Sequence, residues 1–263
     1  MTANIFKPDP YRIADIVHET ELEYTFKVEA GVKVDHGQFF QISLPEIGEA
    51  PISVSGIGRD WLEFTIRKVG KVTHRLFSLR RGDRLFMRGP YGNSFPLDEF
   101  RGKDLVVIAG GTGVSPVRSL LKHYFDHLDE IRSLHFIAGF KDRGSILFAD
   151  DLKDFAARFH AIYTLDKEAI PGFQSGLVTE HIRKIPFAGF ADYNVVIVGP
   201  PVMMRYAALE CLKNGVSKER IWMSFERNMS CAVGKCGHCK INETYVCLEG
   251  PVFNYTKAEQ LLD

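Results

Sequence analysis

Four cysteines lie within one short segment near the end of the sequence: Cys231, Cys236, Cys239 and Cys247. Their spacing, C-x4-C-x2-C-x7-C, begins like the ligand set of a plant-type [2Fe–2S] cluster, in which a tight loop supplies three thiolates and a fourth comes from beyond it. Gly234 and Gly237 lie in that loop, and glycine lets backbone N–H groups approach sulfide because it has no Cβ. The spacing therefore favours an iron–sulfur centre and one-electron chemistry.

Two other uses of clustered cysteines are a structural zinc site and a disulfide framework. Zinc sites usually pair one C-x2-C with a second C-x2-C or with H-x3-5-H, and this sequence has one C-x2-C, at Cys236 and Cys239. Disulfides belong to secreted proteins, and the N-terminal residues lack the apolar stretch of a secretory signal. We therefore expect iron–sulfur ligation, with zinc as the alternative. The fifth cysteine, Cys211, lies in an apolar helical stretch and is expected to be a buried core residue.

Two glycine turns follow continuous apolar runs, the pattern of parallel strands that are buried on both faces. Gly110-Gly111-Thr112-Gly113 comes after residues 105–109, and Gly199-Pro200-Pro201 comes after residues 194–198. A turn between a strand and a helix presents free backbone N–H groups to a phosphate. Neither turn is a P-loop or G-x-G-x-x-G, so ordinary structural turns are the alternative. Two such turns at strand ends favour a dinucleotide site, because ligands of open α/β sheets lie there.

A basic cluster surrounds Gly70 and Thr73, and its members are Arg67, Lys68, Lys71, Arg75, Arg80 and Arg81. Such a cluster is commonly a solvated face, but it would also suit a diphosphate, and the residues alone leave both interpretations open. His36, His74 and His238 are isolated, and a Rieske site would need a second histidine beside His238. Catalytic triads, H-E-x-x-H and paired carboxylates do not stand out, so hydrolysis is not indicated.

The elements that must position these residues fall into three parts. Short alternating runs such as residues 24–30 and 61–67, separated by glycines, predict an antiparallel barrel over residues 1–100. Strands and helices then alternate, which predicts a doubly wound parallel α/β sheet over residues 101–224. Residues 225–263 hold the cysteines and few apolar side chains, so we expect a small module whose order depends on metal.

The composition is that of an ordinary soluble protein. Thirty-three basic residues balance 33 acidic ones, which gives no indication of nucleic acid or of an anionic membrane as a partner. We find no apolar run of the eighteen or so residues that a membrane span requires. We therefore expect a cytoplasmic protein that does not insert into membranes.

The order of barrel, nucleotide sheet and cysteine loop resembles the flavin-dependent ferredoxin–NADP reductase-like electron-transfer subunits, including that of class B dihydroorotate dehydrogenase. The resemblance covers residues 11–255. It is carried by residues 37–39, 49–55, 88–100, 109–116, 198–203, 231–239 and 247–255. Within the family the chain looks most like the branch that serves anaerobic sulfite reductases, although hydrogenase gamma subunits share residues 49–53.

The resemblance implies a set of cofactor-binding residues. For FAD these are Pro51, Ile52 and Ser53 of the flavin signature, Thr65, Ile66 and Arg67 of the strand beside it, and Gly70, Val72 and Thr73 of the pyrophosphate turn. For the nicotinamide nucleotide they are Gly110, Gly111, Thr112, Gly113, Gly199, Pro200 and Pro201. The four clustered cysteines would hold a [2Fe–2S] cluster. The basic cluster then belongs to the FAD site.

Two positions depart from the family pattern. The signature's arginine is Ala50 here, so Arg67 or Arg75 would have to contact the phosphate instead. The cysteine that often precedes the second glycine turn is Val198. Asp142 and Arg143 would offer both an acidic group for a ribose hydroxyl and a base for a phosphate, which leaves NADH and NADPH equally open.

The implied activity is oxidation of NAD(P)H, with electrons passing through FAD and the cluster to a partner. No catalytic acid or base is expected, because the cofactors carry the chemistry. The implied partners are a sirohaem-containing catalytic subunit and a ferredoxin-like iron–sulfur subunit. The alternatives are service to a hydrogenase or to dihydroorotate dehydrogenase, or a non-enzymatic zinc-binding interaction module.

Overall fold

Six antiparallel strands close into a barrel in the computed structural model, which describes residues 5–262. In chain order they are β1 (Asp9–His18), β2 (Glu23–Glu29), β3 (Phe39–Leu44), β4 (Gly48–Ile57), β5 (Trp61–Arg67) and β6 (Arg84–Tyr91), and helix α1 (Lys71–Leu76) follows β5. The strand order is β1-β2-β5-β4-β3-β6, and β6 pairs with β1 to close the barrel. Alternate side chains such as Phe26, Phe64 and Ile66 point inward and are fully buried. The predicted barrel is confirmed.

A mostly parallel sheet begins after the barrel. Its strands are β7 (Asp104–Gly110), β8 (Ser133–Phe140), β9 (His160–Leu165), β10 (Gln174–Ser175), β11 (Tyr193–Val198) and β12 (Ile221–Ser224). The helices are α2 (Leu97–Phe100), α3 (Val114–Asp126), α4 (Ala149–Arg158), α5 (Val178–His181) and α6 (Pro201–Lys213). Every residue of β7 and β11 is buried, which explains the continuous apolar runs at residues 105–109 and 195–198 within them. The predicted parallel α/β sheet is confirmed.

The cysteine segment contains little regular structure. A two-stranded ribbon, β13 (Lys240–Ile241) and β14 (Thr244–Tyr245), precedes the short helix α7 (Val246–Glu249). The chain then forms β15 (Val252–Asn254), which pairs antiparallel with β12, and helix α8 (Tyr255–Ala258). The order of the large sheet is therefore β10-β9-β8-β7-β11-β12-β15.

The contacts divide the chain into two units that do not follow the order of the sequence. The first unit joins the barrel, up to Ser94, with the cysteine segment Phe225–Pro251. The second unit joins Phe95–Ser224 with the residues from Val252 onward. Among residues 5–262, no helix is long and apolar enough to cross a membrane.

Candidate cofactor and nucleotide sites

Backbone N–H groups surround the sulfur atoms of the cysteine segment. The N–H groups of Val233, Lys235 and Cys236 donate to Cys231 Sγ over 3.4, 3.2 and 3.4 Å. The N–H of Gly234 donates to Cys247 Sγ over 3.2 Å. Gly234 has a φ of +70°, a left-handed conformation that favours glycine, so its place in the loop has a backbone reason. Donors directed at sulfur stabilise thiolates, the form that binds metal.

The four thiols form two hydrogen-bonded pairs. Cys231 is paired with Cys236, and Cys239 is paired with Cys247. A [2Fe–2S] cluster takes two thiolates on each of its two irons, so two adjacent pairs fit this group. In the part of the chain that the structure describes, no group of three or more His, Cys, Asp and Glu side chains is placed to hold one metal ion. The two thiol pairs thus agree with the two-iron cluster that the cysteine spacing predicts.

Hydrogen bonding and burial push the thiol pKa values in opposite directions. Backbone N–H donation, chiefly from His238, lowers the pKa of the exposed Cys236 to about 7. Burial raises the pKa of Cys247 to about 12, and it does the same for Cys211 in α6. Cys211 is fully buried in the second unit, as expected of a core residue, and takes no part in the cysteine segment.

Three polar side chains of the barrel hold the cysteine segment by its backbone carbonyls. Gln41 Nε2 donates to the carbonyl of Met229 over 3.1 Å, and Asn93 Nδ2 donates to that of Glu249 over 3.0 Å. Arg88 donates to the carbonyls of Ser230 and Cys231, which lie between Met229 and Glu249 in the sequence. The segment is therefore fixed on the barrel at both of its ends, although it contains little regular structure of its own.

The residues predicted for the flavin lie on two neighbouring strands. Pro51, Ile52 and Ser53 are half-buried on β4, and Thr65 is half-buried on β5, which pairs with β4. Ile66, in contrast, is fully buried in the barrel core. Only the backbone of Ile66 can therefore contact a ligand, whereas the other four can offer side chains.

The turn predicted for the pyrophosphate is organised by Thr73. Its hydroxyl accepts hydrogen bonds from the N–H groups of Val69 and Gly70 over 3.0 and 2.9 Å, and it donates to the Gly70 carbonyl over 3.0 Å. The hydroxyl thus shapes the turn, and the first backbone N–H groups of α1, such as that of Val72, remain as donors for a ligand. Arg67 Nε lies 3.2 Å from the Glu23 carboxylate, with about half of its side chain exposed.

The two glycine turns of the second unit meet each other. A Cβ on Gly113 would lie 2.5 Å from the Val198 carbonyl oxygen and 2.6 Å from Gly199 Cα, which no real side chain could do. A Cβ on Gly199 would come within 3.2 Å of Gly110. Gly111 has a φ of +53° and open space where its Cβ would be. Gly113 therefore serves the packing of the turns, and Gly111 faces free space.

A pocket of about 1030 Å³ opens beside these turns, at the carboxyl ends of the strands. Its wall includes Gly110, Gly111 and Pro200, as the sequence predicts for a nucleotide site. It also includes residues that sequence reasoning missed: Lys141, Asp166, Glu180, Arg183, Met203 and Tyr206. Asp166 directly follows β9, so the rule that ligands lie at strand ends could have found it.

The acidic and basic pair predicted to bind the ribose directly follows Lys141 of the pocket wall. Asp142 and Arg143 belong to a short 3-10 turn, in which Ser145 Oγ donates to the Asp142 carbonyl over 2.7 Å. The Arg143 N–H donates to the Glu168 carboxylate over 2.9 Å. The charged residues that line the pocket near this turn include Lys141 and Asp166.

Comparison with known proteins finds domain families that contain the nucleotide turns and the cysteine segment. Residues 107–208 match the model of the oxidoreductase NAD-binding domain, and residues 226–259 match the iron–sulfur cluster binding domain of dihydroorotate dehydrogenase B. The gamma subunit of sulfhydrogenase 2 from Pyrococcus furiosus is 35% identical over 261 residues, which cover 92% of this chain and 87% of that protein. The chain belongs to the ferredoxin–NADP reductase-like family of electron-transfer subunits.

Other relatives of this electron-transfer subunit point the same way. The probable electron transfer subunit of dihydroorotate dehydrogenase B (NAD(+)) from Thermoplasma volcanium is 32% identical over 243 residues, covering 92% of this chain and 88% of the relative. A structure of an NADH-dependent reduced ferredoxin–NADP oxidoreductase matches all of this chain and 93% of its own, with a TM-score of 0.81 at 23% identity. The ferredoxin–NADP+ reductase of Neisseria gonorrhoeae, with bound FAD and NADP, matches 82% of this chain and 98% of its own, with a TM-score of 0.71 at 21% identity.

The family assignment settles the class of the protein and of its cofactors. The electron-transfer subunit is an oxidoreductase subunit with an NAD-binding domain and an iron–sulfur cluster binding domain, so the predicted nicotinamide and iron–sulfur cofactors are confirmed. Its fold is that of ferredoxin reductases, one of which was solved with bound FAD and NADP. The match to an iron–sulfur domain also favours iron–sulfur over the zinc alternative. The sulfite-reductase branch and the individual site residues stay predictions.

Proposed function

We propose that this chain oxidises NAD(P)H and passes electrons through FAD and a [2Fe–2S] cluster to a partner reductase. The observation that carries the proposal is the grouping of the cysteine segment with the barrel in one unit. Two thiol pairs, Cys231 with Cys236 and Cys239 with Cys247, are thereby held on the same barrel that carries the proposed flavin residues.

Each proposed group of residues has a binding or positioning role. When bound, FAD supplies hydride acceptance and the cluster supplies one-electron transfer, which is chemistry that side chains cannot provide. The half-buried stretch Pro51–Ser53 and Thr65 would orient the flavin ring, and the turn at Gly70–Thr73 would offer backbone N–H groups to its phosphates. The glycine turns beside the pocket would seat the nicotinamide dinucleotide. No side-chain acid or base is assigned.

The partner we propose is a sirohaem-containing sulfite reductase subunit with a ferredoxin-like iron–sulfur subunit, which makes this chain an anaerobic sulfite reductase B subunit. The resemblance over residues 11–255 supports this branch, although hydrogenase gamma subunits share residues 49–53. A hydrogenase is the second candidate, because the 35% identical relative is a sulfhydrogenase gamma subunit. The dihydroorotate dehydrogenase relative makes that enzyme a third candidate partner. The compartment we propose is the cytoplasm.

Anaerobic purification of the tagged chain from its native cells tests the proposal. We expect flavin and iron–sulfur absorption in the chain itself, both bleached by NADH or NADPH, and a co-purifying subunit with a sirohaem spectrum that reduces sulfite. Hydrogen uptake or dihydroorotate oxidation by the complex would assign the other partners and contradict the sulfite-reductase branch. A colourless protein that contains zinc would contradict the electron-transfer role altogether.

A further inference from the structure

Arg88 of β6 uses all of its hydrogen-bonding capacity inside the first unit. Its Nε and Nη2 donate to the two carboxylate oxygens of Glu49 over 2.9 and 2.5 Å. Its Nη1 donates to the Tyr91 hydroxyl over 2.9 Å and to the Cys231 carbonyl over 2.8 Å. Its Nη2 also donates to the Ser230 carbonyl over 2.7 Å. A guanidinium has five N–H donors, so every one of them has an acceptor.

The burial of this cation shows that its position matters. Only 4% of the Arg88 side chain is exposed, whereas 29% of its partner Glu49 is exposed. A buried charge is costly unless it is paired and fully hydrogen-bonded, and the two-pronged contact with Glu49 meets that condition. Gln41 and Asn93 hold the same segment without any charge. Holding the segment therefore does not by itself require a cation.

The network connects two sites of the proposed electron path. Glu49 lies two residues before the proposed flavin stretch Pro51–Ser53 on β4, and Cys231 is the first of the four proposed cluster ligands. The carbonyls that Arg88 binds belong to Cys231 and to the residue before it. A fully satisfied buried network of this kind specifies one arrangement of the groups it joins.

We propose that Arg88, oriented by Glu49, is a positioning residue for the cluster, which fixes the backbone at Cys231 and sets a buried positive charge beside it. The proposal rests on the proposed function, because it requires a cluster on the four cysteines. A positive charge stabilises the more negative, reduced state of a cluster, and a nearby carboxylate does the opposite. The two partners should therefore affect the cluster potential in opposite directions.

The test uses the purified holoprotein and the variants Arg88→Gln, Arg88→Lys and Glu49→Gln. Arg84→Gln is the matched control, because Arg84 lies on the same strand but is exposed. The midpoint potential of the cluster, from electron paramagnetic resonance during a redox titration, should become more negative in Arg88→Gln and more positive in Glu49→Gln. Arg88→Lys should keep the potential near that of the wild type. It should nevertheless lose iron to a chelator about tenfold faster, because lysine cannot make the five contacts.

Each outcome decides the proposal. Opposite shifts, with Arg84→Gln unchanged, would support it, since a purely mechanical role predicts no dependence on the sign of the charge. Loss of the cluster in Arg88→Gln alone would support the positioning of Cys231, and Glu49→Gln would still report the charge effect. Unchanged potential and unchanged iron retention in all three variants would overturn it. A wild-type protein without any cluster signal would instead overturn the proposed function.

Discussion

At the scale of single residues, the cysteine segment shows how backbone and side chain divide the work of building a metal site. The thiols supply the ligands, while N–H groups of the residues between them, such as Gly234 and Lys235, point at the sulfurs. The left-handed φ of Gly234 allows this arrangement, since a residue with a Cβ would be strained there. A Cβ at Gly234 would also lie 2.2 Å from the exposed Leu248 side chain, which would have to move aside.

Replacing single cysteines tests the ligand assignment. Cys→Ser changes at positions 231, 236, 239 and 247 should each abolish the signal of the reduced cluster in electron paramagnetic resonance, because each iron needs both thiolates of its pair. Cys211→Ser is the control, since Cys211 is buried in α6 of the other unit. The control variant should keep the signal of the reduced cluster. An equal loss of signal in the control would contradict the assignment.

Two glycines of one turn should respond differently to substitution. Gly111→Val places a side chain toward the pocket, so the Michaelis constant for the nicotinamide donor should rise about tenfold, or about 1.4 kcal/mol. The variant should also lose stability, because its φ of +53° strains a β-branched residue. Gly113→Ala forces a Cβ against Val198 and Gly199, so the free energy of unfolding of the sheet unit should fall by about 1–3 kcal/mol. Steady-state kinetics distinguishes the variants, because only Gly111→Val should raise the Michaelis constant, and chemical denaturation measures the loss of stability in each. Wild-type kinetics in Gly111→Val would mean that it is an ordinary turn residue.

At the scale of elements, periodicity predicted most of the fold, because buried strands and half-buried strands leave different patterns. The continuous apolar runs became β7 and β11, and the alternating runs became β2 and β5. Helix α4 begins only at Ala149, although the apolar residues 146–148 precede it directly, because Phe148 has a left-handed φ of +55°. Local patterns do not show such a backbone reversal.

Contacts between residues far apart in the chain could not be predicted from the sequence. Nothing in the pattern of β15 indicates that it pairs with β12 after the cysteine segment, because pairing partners far apart leave no periodic signal. The sequence around Arg88 likewise gives no sign that its side chain contacts Ser230 and Cys231, which are 142 and 143 positions further along the chain. The ligand cysteines could be predicted because their spacing is local, whereas the residues that hold them in place could not.

The carboxylate of Asp166, at the end of strand β9, leads to a prediction about the choice between NADH and NADPH. Asp166 lines the pocket, and a carboxylate at a strand end can accept hydrogen bonds from a ribose but repels a 2′-phosphate. We expect Asp166→Asn to raise kcat/KM for NADPH relative to that for NADH about tenfold, about 1.4 kcal/mol. Asp142→Asn is the control, since Asp142 belongs to the neighbouring 3-10 turn. A shift in the control with none in Asp166→Asn would restore the original assignment to Asp142.

At the scale of the whole molecule, each of the two units is built from two separate stretches of the chain. It leaves the barrel unit after Ser94, forms the sheet, returns to the barrel unit at Phe225 and ends in the sheet unit. The proposed flavin and cluster residues thus share one unit, while the proposed nucleotide turns belong to the other. The residues proposed for the nucleotide, for the flavin and for the cluster are nevertheless different, so we expect hydride acceptance and one-electron release to be separable by mutation.

Cys236→Ser tests this separation. The variant should still reduce its bound FAD with the nicotinamide donor, because the residues proposed for FAD and for the nucleotide are unchanged. It should fail to reduce a one-electron acceptor that takes electrons from the cluster, since one thiolate of the Cys231–Cys236 pair is missing. Stopped-flow absorption at the flavin wavelength and steady-state acceptor reduction measure the two steps, with Cys211→Ser as the control for both. If flavin reduction is lost while FAD stays bound, the two steps share residues and the proposed order of electron transfer is wrong.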